Sequence, residues 1–241
     1  MTSPALIRAQ VESRFPGALT TYARSEREML LTGFPAIDRE TGGIPKSALT
    51  QICAQVGNSS GKTTLLLALM AQATRRGEFT ALVDAGDCFD PGSADAAGVE
   101  LSHVLWVRCG ERLGVRPLEQ AFKAADIVVQ NGGFGLIAVD LGNVDERLVR
   151  KIPLTTWFRF ARVVEKIPVA LIFLSSWPAA RSCASLTLQL NQGNASWQEA
   201  GALAHTQLLT EMDFTAEIVQ SSTRKPVQSV RPKFSGKPQW A

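Results

Sequence analysis

Residues 57–64 read Gly-Asn-Ser-Ser-Gly-Lys-Thr-Thr, and the apolar run 65–70 follows at once, so a glycine-rich loop opens a helix. The apolar stretch 49–54 before it reads as a buried strand, and strand, loop and helix together commit this part of the chain to a βα unit. The first amides of a helix lack intrahelical acceptors and sit at the positive end of its dipole, so such a loop holds phosphate. Each residue type has a use there. Gly61 lets the backbone approach the phosphates, Lys62 brings a mobile positive charge, and Thr63 offers a hydroxyl to Mg²⁺. Ser59, Ser60 and the loop amides complete an anion nest. The spacing predicts that Gly57, Asn58, Ser59, Ser60, Gly61, Lys62, Thr63 and Thr64 contact a nucleoside triphosphate with Mg²⁺. One position is irregular: the usual pattern starts with glycine where this chain has Val56, and a left-handed backbone there would cost about 1–2 kcal/mol. Gly57, one place later, absorbs part of that turn.

The alternation continues downstream. After the helix from Lys62 to about Arg76, apolar runs at 79–83, 104–107, 135–139 and 169–174 read as strands, with helices at 116–130 and 155–165 between them. Strands alternating with helices predict an α/β fold with a mainly parallel central sheet covered on both faces. Beyond residue 180 the stretches 186–190, 214–221 and 227–234 alternate without long helices and predict antiparallel strands extending one edge. Residues 33–46 read as a turn-rich approach to the first strand. Ser3-Pro4 starts a short helix over 4–15, with Ile7, Val11 and Phe15 on a stripe that needs a partner surface. The expected division is 1–22 as N-terminal amphipathic helix and linker, 23–235 as nucleotide-binding core, and 236–241 as a disordered basic tail.

Bulk properties exclude several classes. With 45% hydrophobic and 20% charged residues in 241, one large globular domain is expected. No run approaches the roughly 18 apolar residues of a membrane span, and residues 1–16 lack the pattern of a signal peptide, so a cytoplasmic protein is predicted. Cys53, Cys88, Cys109 and Cys183 are widely spaced and read as reduced core or near-core thiols. Residues 218–241 hold Arg224, Lys225, Arg231, Lys233 and Lys237 with no acid, a segment suited to nucleic acid, to an acidic partner or simply to solvation.

Asp140 ends the strand 136–139, the position of a carboxylate that holds Mg²⁺ opposite Thr63. Hydrolysis is a separate matter, because it needs a group that orients the attacking water. Asp84, Asp87 and Asp90 follow the strand 79–83 and are candidates, with helix caps or turns as the competing reading of each. Trp157, Phe160, Ala161 and Val164 share one helix face and predict core, leaving Arg159 and Arg162 toward solvent. Trp177 and Trp197 lie in irregular stretches and are expected to pack.

Taken in order, these residues resemble the RecA-type recombinase core: Thr32-Gly33, Gly42-Gly43-Ile44-Pro45, residues 59–64, Val83-Asp84-Ala85, Asp90-Pro91, residues 136–140 and Leu171-Ile172-Phe173. The resemblance covers most of the chain and implies a RecA-like fold. Where that pattern carries a catalytic glutamate this chain has Gly86, and where it carries an Asn-Gln pair that senses the γ-phosphate it has Ser175-Ser176. The following DNA-binding loop is shortened to about 177–182. In residues 83–91, 152–160 and 181–186 the chain looks similar to the ImuA group, shortened RecA relatives of bacterial mutagenic repair. That likeness implies an ATP-binding accessory of translesion synthesis in the SOS response to DNA damage. Its partners would be a Y-family polymerase-like protein and an error-prone replicative-type polymerase, with weak binding of single-stranded DNA and little or no hydrolysis. The alternative is a DNA-dependent ATPase of homologous recombination that uses Asp87 as its catalytic group. A cell-division or signalling regulator on the same core is a third class.

Overall fold

In a computed structural model of the chain, residues 4–15, 27–54, 60–110, 116–199, 207–221 and 233–235 are described, without the side chains of 194–200, 207–212 and 233–235. Five parallel pairings build the centre of the main sheet. The strands are β3 (Ala48–Ala54), β4 (Thr80–Asp84), β5 (Val104–Arg108), β6 (Leu136–Asp140), β7 (Ala170–Ser175) and β8 (Leu186–Glu199). Two antiparallel strands, β9 (Gln207–Ser221) and β10 (Lys233–Ser235), extend it, giving the order β10-β9-β8-β3-β7-β6-β4-β5. Strands β1 (Met29–Leu30) and β2 (Ile44–Pro45) form a separate two-stranded sheet. The helices are α1 (Pro4–Arg14), α2 (Pro35–Thr41), α3 (Lys62–Arg75), α4 (Pro91–Ala96), α5 (Pro117–Asn131), α6 (Glu146–Arg150) and α7 (Leu154–Val164). The α/β architecture with an antiparallel edge agrees with the sequence reading.

Side chains alternate across each strand, so one strand feeds two cores. Leu136 and Ala138 of β6 face α3, in a cluster with Leu65, Leu69, Ile52, Ile172 and Phe214. Ile137 and Val139 face the other way, toward α5 and α7, with Ala121, Ala125, Trp157, Phe160 and Phe173. Trp157, Phe160 and Val164 are buried and Arg162 is exposed, while exposed Arg159 pairs with Asp126 at 2.7 Å. Phe173 is the hub of the second core, with ring centroids of Trp157 at 4.9 Å, Phe160 at 5.4 Å and Phe122 at 5.9 Å.

Several expectations need correction. β8 pairs with β3 in parallel, so the antiparallel extension starts one strand later than predicted, and β8 and β9 are far longer than the runs read from sequence. The fourth strand starts at Thr80, leaving Phe79 52% exposed. The stretch 33–46 contains a helix, α2, started by Pro35 and stopped by Gly42 in the left-handed region at φ 78°. Helices α4 and α6 are two turns or less, too short to show periodicity. Helix α1 forms where expected, and its Leu6, Ile7 and Phe15 are exposed. Most of the linker and the tail, residues 16–22 and 236–241, lie outside the described residues, as do Arg224, Lys225, Arg231 and Lys237.

Phe173→Ala should remove the hub of the aromatic core at a cost of about 3–5 kcal/mol, read as a lower urea midpoint with an unchanged slope.

Candidate functional site

The carboxyl ends of β3, β7, β6 and β4 meet at one rim of the sheet, where parallel α/β folds place ligands. Gly61 precedes α3 in the left-handed region at φ 75°, and α3 has neither a side-chain cap nor an acidic residue in its first turn. Its leading amides therefore point at the rim without a side-chain acceptor from the cap residue. Gly61 is required for a second reason: a Cβ there would lie 2.5 Å from the Phe214 ring of β9. Phe214 is fully buried and meets Phe34 edge-on at 5.4 Å, so two aromatic rings back the start of α3. Ser60 is buried beside it. Val56, Gly57, Asn58 and Ser59 lie outside the described residues.

Lys62, Thr63, Asp84, Gly86, Cys88, Asp140 and Asn143 are among the residues lining a cavity of about 150 Å³ in front of α3. Lys62 Nζ stands 4.0 Å from Asp140 Oδ1, with 17% and 24% of the two side chains exposed. Asp140 Oδ1 also accepts the Gly142 N–H at 2.7 Å. A Cβ at position 142 would overlap Lys62 Nζ, so that glycine leaves the room in which the ammonium rests. A lysine ammonium, the leading amides of α3 and the oxygens of Thr63 and Asp140 on one cavity fit a phosphate chain with Mg²⁺, which takes only one or two protein carboxylates in such sites. Thr64 faces an adjoining apolar pocket of about 440 Å³ that includes Phe34, Ala68, Ala96 and Ala97 and shares Leu67 and Ser93 with the first.

The three aspartates after β4 separate into distinct roles. Asp84 is 2% exposed and accepts the N–H groups of Phe89 (2.9 Å), Gly86 (3.2 Å) and the Trp106 indole (3.3 Å). Asp90 caps α4, accepting the Ser93 N–H at 2.8 Å and its hydroxyl at 2.5 Å. The Ser93 hydroxyl, then the Ser93 N–H, holds the Asp90 carboxyl below its usual range. Asp87, expected to orient water, is not brought to the cavity. It sits at the turn apex with φ 52° and pairs with Arg108 at 2.6 and 2.7 Å. The turn that Asp84 ties together points residue 87 toward β5, where Arg108 lies in register with Asp84.

Ser175 and Ser176, in the place of the expected phosphate sensor, are buried. Ser175 Oγ accepts the Gln51 amide N–H at 2.9 Å and donates to the Trp177 carbonyl, so it serves the interior. Trp177 is 37% exposed, with the Arg150 guanidinium 3.6 Å above its ring, and the side chain of Trp197 is not described. Cys53, Cys109 and Cys183 are buried free thiols, and burial pushes Cys53 up to about 12. Cys88 departs from the core expectation: it is exposed at the cavity, 2.7 Å from Asn143 Nδ2. Sequence reasoning passed over Cys88 and Asn143, and the available signal was their nearness to Gly86 and Asp140 in the chain.

Among the described residues no helix is long and apolar enough to cross a membrane. The RecA N-terminal domain family matches residues 17–146, more than half of the chain. The chain is 30% identical over 148 residues to Protein RecA of Desulfotalea psychrophila, covering 56% of this chain and 39% of that protein. It is 34% identical over 111 residues to Protein RecA of Rubrobacter xylanophilus (45% and 30% covered) and 35% over 138 residues to Protein RecA of Aquifex aeolicus (55% and 38%). The matches thus span well under half the length of these curated relatives.

Burial is the first cause that raises the Asp140 pKa; the Lys62 ammonium and the Gly142 N–H oppose it, and Asp84 adds to it. With the folded value above the unfolded one, Asp140 favours the fold fully below the ordinary aspartate pKa of about 3.9. That contribution is lost as pH rises through the raised value. Asp140→Asn should therefore raise the thermal midpoint of the nucleotide-free protein at neutral pH, with the gap closing on acidification. An equal or lower midpoint at neutral pH contradicts this assignment.

Proposed function

Because this chain belongs to the RecA family, we propose that its rim cavity binds ATP with Mg²⁺ and that it serves as an accessory protein of DNA repair with little or no hydrolysis. The triphosphate lies on the amides of Ser60 and Gly61 and on Lys62, with Gly57, Asn58, Ser59 and Thr64 completing the cradle. Thr63 and Asp140 hold the metal. Bound Mg²⁺ supplies charge neutralisation between the phosphates. Lys62, resting against Asp140, swings to the phosphate chain, and the adjoining apolar pocket takes the base.

One observation carries the low turnover. The cavity keeps its phosphate and metal groups, whereas position 86 has no side chain and the carboxylates beside it are engaged elsewhere: Asp84 by three N–H donors, Asp90 by its helix cap and Asp87 by Arg108. Loss of a general base typically lowers rate by about 10² to 10⁴.

The accessory role follows the ImuA-like pattern of residues 83–91, 152–160 and 181–186. In this reading residues 1–22 and the exposed face of α1 contact a Y-family polymerase-like protein or an error-prone replicative-type polymerase in the cytoplasm. The 23–235 core carries the nucleotide. Single-stranded DNA binds weakly, with Arg150, Trp177 and Arg181 lining a cationic pocket. The relatives' shared name, Protein RecA, favours a second reading, a DNA-dependent ATPase of recombination.

Phosphate release with and without single-stranded DNA separates the two. The accessory reading expects turnover near background and unchanged by Asp87→Asn, with binding of a fluorescent ATP analogue lost in Lys62→Ala. Brisk DNA-stimulated turnover that both substitutions abolish would establish the recombination reading instead.

A further inference from the structure

Gly86 is a glycine without a backbone reason to be one. Its φ is not in the left-handed region, unlike Gly61 or Gly42, so a side chain there meets no conformational penalty. The obstacle is another residue. A Cβ at position 86 would lie 3.0 Å from Asn143 Cβ, 3.3 Å from its Nδ2 and 3.4 Å from Cys88 Sγ. Asn143 thus fills the space into which a residue-86 side chain would project, and it lines the same cavity as Lys62, Thr63 and Asp140. It reaches that space from beyond the end of the neighbouring strand β6, three residues after Asp140, in a turn closed by the Val144 N–H donating to the Leu141 carbonyl at 3.0 Å. The Cys88 sulfur accepts one amide hydrogen from Asn143 Nδ2 at 2.7 Å, so two cavity-lining side chains are joined.

We propose that Asn143 is a nucleotide-contacting residue that meets the terminal phosphate and distinguishes the triphosphate from the diphosphate, an assignment that rests on the ATP reading of this cavity. Nδ2 carries two hydrogens, and the thiol uses one. The other is a neutral donor to a phosphate oxygen, a bond strengthened by the charge of its acceptor. A carboxamide does not take a proton from water at neutral pH. Replacing a carboxylate with it therefore exchanges water activation for phosphate recognition, which matches a protein that reads its nucleotide state and turns over slowly. The space left by the absent side chain at 86 is bordered by the one at 143.

Titration of the full chain with fluorescent ATP and ADP analogues, in Mg²⁺ buffer, tests this. Asn143→Ala should lower ATP affinity about tenfold, the loss of one charge-assisted hydrogen bond, and leave ADP affinity unchanged. Asn143→Ser, which keeps a donor, should retain part of the ATP preference. Gly86→Ala, which presses on the same side chain, should cost part of that preference in the wild type. Equal loss for both nucleotides, or no loss for either, overturns the assignment and marks Asn143 as a turn residue only, while the ATP reading stands. Binding of neither nucleotide by the wild type overturns the ATP reading and this assignment with it.

Discussion

A single buried carboxylate organises one wall of the rim cavity. Asp84 sits at the end of β4 with 2% of its surface exposed, and an ionised group in that position is tolerable only with donors around it. It takes the N–H of Gly86 and Phe89 from its own turn and the Trp106 indole from β5. Those three bonds fold residues 84–89 into a tight turn and join it to the sheet edge. Everything distinctive about the wall follows: Gly86 faces Asn143, Cys88 faces the cavity, Asp87 is thrown outward to Arg108, and Asp90 is delivered to the start of α4. Asp84 is thus spent on architecture, and a carboxylate so placed has little accepting capacity left for chemistry.

The fold was legible where local pattern and burial agree. Continuous apolar runs such as 136–139 became strands buried on both faces, and the three- and four-residue spacing of Trp157, Phe160 and Val164 became a core stripe. What escaped was set by neighbours far along the chain. The parallel pairing of β8 depends on β3, more than a hundred residues earlier, and no local period encodes strand direction. Short elements escaped too, because α4 and α6 owe their form to the caps Asp90 and Asp145, a signal that a turn produces equally well.

At the site, residue types marked the candidate phosphate and metal groups, since Lys62, Thr63 and Asp140 stand at fixed steps from a loop and a strand end. Orientation was not announced. Asp84, Asp87 and Asp90 look equivalent on paper, yet one builds a turn, one pairs at the surface and one caps a helix. The meaning of Gly86 was half visible: the missing side chain could be read from the chain, whereas the residue that fills its place comes from a different strand and needed coordinates.

The contact between Phe214 and Gly61 bears on what counts as a unit in this protein. The segment that matches the family, residues 17–146, contains Gly61, Lys62 and Asp140, but the ring packed against Gly61 comes from β9, beyond its end. Heredity and mechanics therefore draw different borders. The portion shared with relatives is not self-sealing, because the antiparallel edge supplies the ring against which the start of α3 packs.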